Sequence, residues 1–409
     1  MLRFIKTFFA FLLCLLLACA GSKSDSVDPL ILSIKKQFAP DGRVALFQVK
    51  PACESKKLVL RGETTIPRAR QALLDSLEKK KIPVVDSILV LPDISIGDKP
   101  WGLITLSVGN MRKKPDHAAE MVSQLLLGTP VKILQFRHGW YRIQSPDEYI
   151  GWIDDSALAP VTEASLNKWK KSDRYLYRQT SGYVYADPDD ESQVVSDLVL
   201  GDLFPVLSGK KGFLQMQFPD GRTGFVRKND CEAYPEWVDA KPDVDKIIET
   251  ARHLVGRPYL WGGTSTKAID CSGLMKTAYY SQGVILARDA SQQARYGEVL
   301  PVTDSLNFLP GDLLFFGRSK DHVTHVGMYI GKGRYVHSSG LVRINSLNPR
   351  DSDYLPANRK RLVSASRVLN SLNTEEVIQV KQHPWYNLRV GNTENGTWNP
   401  EMESRKDGH

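Results

Sequence analysis

The spacing of apolar and polar residues changes character several times along the chain. Over residues 43–91, Val44-Ala45-Leu46-Phe47, the run from Lys57 to Leu60 and the run from Val84 to Leu91 read as strands. After Pro67, Ala69, Leu73, Leu74 and Leu77 recur on one face of a helix. From Trp101 to about Pro160 the pattern becomes short strands between turns. Leu103-Ile104-Thr105-Leu106-Ser107-Val108, Pro130-Val131-Lys132-Ile133-Leu134 and Tyr149-Ile150-Gly151-Trp152-Ile153 are divided by Gly128, His138-Gly139 and Pro146-Asp147. The same grammar returns in Gly182-Tyr183-Val184-Tyr185, in residues 201–207 and in Gly224-Phe225-Val226. Gly151-Trp152-Ile153 and Gly224-Phe225-Val226 each lie one strand after a Pro-Asp turn, so the two stretches read as divergent copies of one small β-barrel, over residues 101–160 and 173–234. Pro235 to Pro242 reads as a linker. A helix with Ile247, Ile248, Ala251 and Leu254 on one side then opens a further domain, residues 243–369, and a polar tail is expected over 370–409.

The first residues follow another logic. Arg3 and Lys6 precede an apolar stretch from Phe8 to Leu17, the layout of a secretory signal and too short to span a bilayer well. It ends in Leu16-Leu17-Ala18-Cys19, which resembles the bacterial lipobox, where a small residue precedes a cysteine that is lipidated and becomes the mature N-terminus. Cys14 fits worse, because Leu13 before it is not small. The expectation is a signal peptide over residues 1–19, lipidation at Cys19, and a polar tether leading into a small mixed α/β segment within residues 20–100. A plain signal peptide cut nearby is the alternative. Acylation with more than one chain would hold the protein firmly on a membrane, outside the cytoplasm. Ala20 lacks the acidic residue often associated with inner-membrane retention, which favours the outer membrane in a cell that has one.

Composition narrows the classes. A chain of 409 residues suggests two to four units, and 42% hydrophobic with 24% charged residues is the make-up of a globular protein. The net charge of +8 becomes about +6 once Arg3 and Lys6 leave with the signal, a modest excess suited to an acidic polymer or peptide carboxylates. Lys79-Lys80-Lys81 reads as a solvated helix end, and a nucleic-acid partner is not expected outside the cytoplasm. Five cysteines make no disulfide framework: with Cys14 discarded and Cys19 lipidated, Cys53 and Cys231 either pair or remain as buried free thiols. No spacing suggests a zinc site, a phosphate loop or a dinucleotide fingerprint, so no metal or cofactor is expected.

The chemistry gathers in the last domain. In Ile269-Asp270-Cys271-Ser272-Gly273-Leu274, followed by Met275, Ala278 and Tyr279, Asp270 is placed as a helix N-cap with Cys271 in the first turn. A helix N-terminus favours thiolate and should lower the cysteine pKa. By position alone a reactive and a structural cysteine are even. The histidines decide between them. His325 opens the alternating run His325-Val326-Gly327-Met328-Tyr329-Ile330, and His337 ends the next, Arg334-Tyr335-Val336-His337. With Gly331-Lys332-Gly333 as the hairpin loop, His325 falls opposite Ser339, and His337 lies two residues away on the same face. Two imidazoles then point at one spot, one to take a thiol proton and the other to orient it.

Together with Tyr259-Leu260-Trp261-Gly262-Gly263, Arg288-Asp289-Ala290-Ser291-Gln292-Gln293, Pro310-Gly311-Asp312-Leu313-Leu314-Phe315-Phe316 and Val336-His337-Ser338, these runs resemble the NlpC-type cell-wall cysteine peptidases over residues 244–369. The resemblance implies a multidomain fold: a papain-like α+β catalytic domain behind two SH3-like small β-barrels and a small N-terminal α/β segment. It also implies Cys271 as nucleophile, His325 as base, His337 as orienting residue and the Cys271 amide as oxyanion donor. Two SH3-like modules before the catalytic domain further resemble the γ-D-glutamyl-L-diamino acid endopeptidase branch, whose first module helps bind the free amine of a terminal L-alanine. On that resemblance Glu120, Tyr149, Asp270, Ser272, Asp289 and Ser291 would bind substrate, with Trp261 shaping the cleft or merely packing. The expected partners are peptidoglycan stem peptides or muropeptides, cut by a monomer at the bond between γ-D-glutamate and diaminopimelate or lysine. A general hydrolase of intact wall and a non-catalytic wall-binding lipoprotein are the rival readings.

Overall fold

Two amphipathic helices and three strands at the N-terminus form one layered unit. The computed structural model describes residues 27–55, 57–303, 307–374 and 377–388, so the expected signal peptide and Cys19 lie outside the described residues, as do residues 389–409 of the expected tail. Helix α1 (Asp28–Phe38) and helix α2 (Pro67–Lys79) pack on a sheet of β1 (Phe47–Glu54), β2 (Lys57–Thr64) and β3 (Val84–Val90). β2, α2 and β3 make a βαβ unit, with β2 and β3 parallel. Ile31 and Ile34 of α1 meet Leu73 and Leu77 of α2 over Phe47, Leu60 and Ile88. Helix α1 has no counterpart among the elements expected from the sequence; its apolar positions find a partner only in the folded sheet.

The two expected barrel modules share one topology. In the first, β4 (Trp101–Ile104), β5 (Val108–Arg112), β6 (Met121–Leu126), β7 (Pro130–Arg137), β8 (Trp140–Gln144), β9 (Ile150–Asp154) and β10 (Leu158–Val161) take the order β10-β4-β7-β8-β9-β5-β6. In the second, β11 (Arg174–Tyr177), β12 (Gly182–Tyr185), β13 (Val194–Leu198), β14 (Leu203–Lys210), β15 (Phe213–Gln217), β16 (Thr223–Arg227) and β17 (Cys231–Ala233) take the order β17-β11-β14-β15-β16-β12-β13. Strand for strand these are the same, with Gly151-Trp152-Ile153 on β9 and Gly224-Phe225-Val226 on the equivalent β16. Neither sheet closes: among the described residues the outermost strands, β10 and β6 or β17 and β13, do not pair. The free edge of β6 is occupied instead. Gln124 exchanges backbone and side-chain hydrogen bonds with Thr264 of the last domain, at 2.7 to 3.3 Å.

Segments that looked like connectors are packed. Helix α3 (Glu163–Lys171) joins the modules and buries Leu166 and Trp169. Helix α4 (Tyr234–Asp239) stands where the Pro235 to Pro242 linker was expected and buries Tyr234, Trp237 and Val238. These side chains share a core with Val380 and Tyr386. Residues 377–388 are therefore not a free tail. Sequence polarity hid this because the buried apolar anchors, Val377, Val380 and Tyr386, are few and stand among polar residues, of which Gln379 and His383 are buried with them.

In the last domain, α5 (Val244–His253) and α6 (Cys271–Tyr280) lie against an antiparallel sheet. A short hairpin of β18 (Thr264–Ser265) and β19 (Ala268–Ile269) leads into α6, and β20 (Val284–Ile285) follows it, paired with β27 (Ile378–Gln379) of the C-terminal strap. Helix α7 (Ala290–Gln293) comes next. The sheet consists of β21 (Glu298–Leu300), β22 (Leu313–Gly317), β23 (Val323–Gly331), β24 (Arg334–Ser339), β25 (Leu341–Ser346) and β26 (Leu362–Arg367), in the order β21-β26-β22-β23-β24-β25, with α8 (Pro356–Arg361) before β26. Leu274, Met275 and Ala278 of α6 pack on Phe315, Val326, Met328 and Val336, which sets the start of α6 against the middle of the sheet.

Candidate active site

Cys271 is the first residue of α6, and Asp270 caps that helix by accepting the Gly273 amide at 2.7 Å. Asp270 does more than cap. It is 5% exposed, accepts the Gly262 amide at 3.0 Å and is gripped by both terminal nitrogens of Arg288, which is 1% exposed. Arg288 also donates to the Ser272 hydroxyl at 2.9 Å, and Gln293 donates to the Ser272 carbonyl at 3.1 Å. Asp270 and Ser272, which the family resemblance offered as substrate contacts, are thus tied into the framework around Cys271. The glycines have steric causes: Gly262 has φ +81°, and a Cβ there would meet the Met121 carbonyl at 2.5 Å. A Cβ on Gly273 would lie 2.0 Å from the Gly263 carbonyl, so this turn and the start of α6 can approach only as glycines.

Across from α6, the β23–β24 pairing sets Met328 opposite Val336 and Tyr329 opposite Tyr335. Continued along the strands, this register carries His325 opposite Ser339, as the hairpin argument anticipated. The turn is tighter than expected. Gly331 pairs with Arg334 around Lys332-Gly333, both at positive φ, and a one-residue irregularity falls at Ile330. His325 Nε2 lies 2.8 Å from His337 Nδ1, and His337 Nε2 lies 2.9 Å from Asn345 Oδ1 on β25. Asn345 Nδ2 donates to the Asp353 carbonyl at 2.8 Å, which fixes Oδ1 as the atom facing His337. The tautomers follow: His337 carries its proton on Nε2, His325 donates from Nε2, and the lone pair of His325 Nδ1 is free to act as a base.

Burial governs the charges. The Cys271 thiol, 7% exposed, is pushed up to about 11 by burial and then by the neighbouring Asp270 carboxylate. Hydrogen bonds from the Val326 and Ser272 amides and the charge of Arg288 pull it down by less. His325 is held down at about 3 by burial, by His337 and by Arg361. Both groups are neutral at rest. The expected lowering of the cysteine pKa by the helix start is present but loses to desolvation.

A second set of polar groups gathers beside Arg288. Tyr149 of the first module donates to Asp289 Oδ2 at 3.1 Å. Arg43, from the N-terminal unit, donates to the same oxygen at 2.8 Å and to Ser291 Oγ at 3.0 Å. Arg43 is itself braced by Asp41, which it holds down at about 2 against the upward push of burial. Glu120 accepts from Trp261 Nε1 at 3.0 Å and pairs with Lys113 at 3.1 Å. Trp261 is 63% exposed, so it forms surface rather than core. Module and catalytic domain therefore meet at this end of the site.

Two family models match the chain. The model described as NlpC/P60 family covers residues 256–359, and the one described as bacterial dipeptidyl-peptidase Sh3 domain covers residues 111–158. Residues 256–359 thus form an NlpC/P60 domain, and the chain is a cysteine peptidase on that domain. It is 29% identical over 245 residues to the γ-D-glutamyl-L-lysine dipeptidyl-peptidase of Bacillus cereus, covering 57% of this chain and 72% of that one. It is 28% identical over 289 residues to the dipeptidyl-peptidase 6 of Lysinibacillus sphaericus, covering 66% and 98%. In fold it is similar to the crystal structure of an NlpC/P60 family protein from Bacillus cereus, with a TM-score of 0.58 over 66% of this chain and 99% of that one, at 24% identity.

Three residues of this NlpC/P60 site escaped the sequence reading. Arg288 stood inside a quoted motif, and its value as the buried partner of Asp270 needed the fold. Asn345 lies on a strand with no local signal of its own. Arg43 is separated from Asp289 by 246 positions. Cys53 and Cys231 are both free; Cys53 is exposed rather than buried.

Proposed function

We propose that this peptidase hydrolyses the bond between γ-D-glutamate and the diamino acid of peptidoglycan stem peptides that carry a free N-terminal L-alanine, and that it works from a lipid anchor at Cys19. The observation that carries the substrate reading is the junction of the first module with the start of α6, where Tyr149, Asp289 and Glu120 stand beside the nucleophile helix. There, counting Asp41, three carboxylates face two cations, Arg43 and Lys113. An excess of negative charge at one end of a peptide cleft suits a terminal ammonium. The names of the relatives point the same way.

In this reading Cys271 attacks the γ-carbonyl carbon of D-glutamate while its proton passes to His325 Nδ1. The oxyanion is met by the backbone N–H of Cys271, in the first turn of α6 where helix amides have no helical partner. His337, held by Asn345, keeps the imidazole in the tautomer that accepts at Nδ1. Collapse breaks the C–N bond, and the imidazolium gives its proton to the leaving amine. Water, deprotonated by His325, then cleaves the thioester and restores the thiol.

The test compares L-Ala-γ-D-Glu-diamino acid peptides with their N-acetylated forms and with intact sacculi. Free peptides should be cut roughly 100-fold better than blocked ones, because the acetyl group removes a charge-assisted contact and leaves a carboxylate without its partner. Equal cleavage of free and blocked peptides would remove the amine pocket and leave the Cys271 chemistry standing. Efficient digestion of sacculi would favour a general wall hydrolase.

A further inference from the structure

Apart from the cluster of Tyr149 and Asp289, an open cleft of about 290 Å³ runs along β23 and β24, lined by Tyr259, Thr324, His325, Ser339 and Arg361 among others. It shares no lining residue with the cluster around Asp289. His325, the base, is itself part of the lining, which ties the cleft to the reacting atoms. The imidazole that protonates the leaving nitrogen must face it, so the residue released by cleavage sits in this cleft. The lining contains no acidic side chain. Arg361 is exposed at the end of α8 and donates to Thr324 Oγ1 at 2.8 Å; among the described residues no carboxylate pairs with it. Arg343, hydrogen-bonded to the Ser339 carbonyl, adds a second cation at the rim.

We infer that Arg361 is a specificity-determining residue that pairs with a carboxylate on the side chain of the released diamino acid, so that the substrate class is a diaminopimelate-type stem rather than a lysine one. The inference rests on the reaction proposed above. A lysine side chain would bring an ammonium into a cleft lined by the Arg361 guanidinium and by no carboxylate, whereas diaminopimelate brings a carboxylate that a guanidinium fork can bind through two N–H donors. The name of the Bacillus cereus relative specifies lysine, so this chain would differ from it at this subsite.

Three tripeptides test it: L-Ala-γ-D-Glu with diaminopimelate, with diaminopimelate amidated on its distal carboxyl, and with L-lysine. The wild type should show kcat/KM roughly tenfold or more higher for the free carboxylate than for either of the others. Arg361→Met should bring that ratio close to one, and Arg361→Lys should retain part of it, because charge is kept while the fork is lost. A wild-type ratio near one, or an equal loss on all three peptides in Arg361→Met, would overturn the assignment. If the wild type cleaves none of them, the reaction itself is misassigned and the inference falls with it.

Discussion

Cys271 and His325 are neutral in the free enzyme because burial opposes a charge on either, and two measurements follow from that. His325 must be unprotonated to accept the thiol proton, and its pKa lies near 3 instead of 6.5. As pH falls through 6.5 the base stays competent, so kcat/KM should hold its plateau and the acid limb should lie below pH 5. A limb centred near 6.5 would mean that water reaches the imidazole. At neutral pH the buried Cys271 thiol, near 11, should also alkylate with iodoacetamide more slowly than the exposed Cys53, the reverse of what a helix-start cysteine suggests from sequence. Faster labelling of Cys271 would show that the thiolate is formed before substrate arrives.

At the scale of elements, β25 and the start of α6 each hold a reacting residue through a single side chain. Asn345 on β25 is the acceptor that keeps the His337 proton on Nε2. Asn345→Ala should lower kcat about 10- to 100-fold with little change in KM, since it frees the tautomer and leaves the pocket alone. A loss confined to KM would assign Asn345 to binding. Asp270 joins the α6 cap to the buried Arg288. Asp270→Asn removes the only carboxylate among the described contacts that pairs with Arg288 and should cost about 3 to 5 kcal/mol of stability in denaturant titration. A change below about 1 kcal/mol would mean that Arg288 finds another partner. The capping role was legible in sequence, because a short acidic side chain before an apolar helical face has few other uses; the ion pair was not, because Arg288 comes from a different element 18 residues on.

Over the whole molecule, the N-terminal unit is wired to the site rather than appended to it. The Ile150 amide donates to the Arg43 carbonyl at 2.7 Å, and Leu46, Leu91, Leu134 and Ile150 form a small core between that unit and the first module. This fixes the Arg43 guanidinium on Asp289, where it neutralises part of the charge that a substrate ammonium would seek. Arg43→Met should therefore lower KM for free-amine peptides several-fold with kcat little changed, Asp289 still being held by Tyr149. A rise in KM would show that Arg43 supports Asp289 instead of competing for it.

Local pattern was enough for much of this protein. The period-2 runs and Pro-Asp turns disclosed two related strand modules. The Asp270-Cys271 cap and the glycine-flanked turn at Gly331-Lys332-Gly333 disclosed a helix start and the register of His325 and His337, though not the irregularity at Ile330, because caps, turns and side-chain alternation act over a few residues. What tertiary structure decided was set by burial and by partners distant in sequence. Desolvation reversed the expected pKa of Cys271, and the Thr264 contact occupied an edge of a sheet expected to close. Buried anchors converted a linker and the first part of a tail into packed structure, and Arg43 reached Asp289 from a separate N-terminal unit. None of these depends on neighbours in the chain, so no window of sequence contains them.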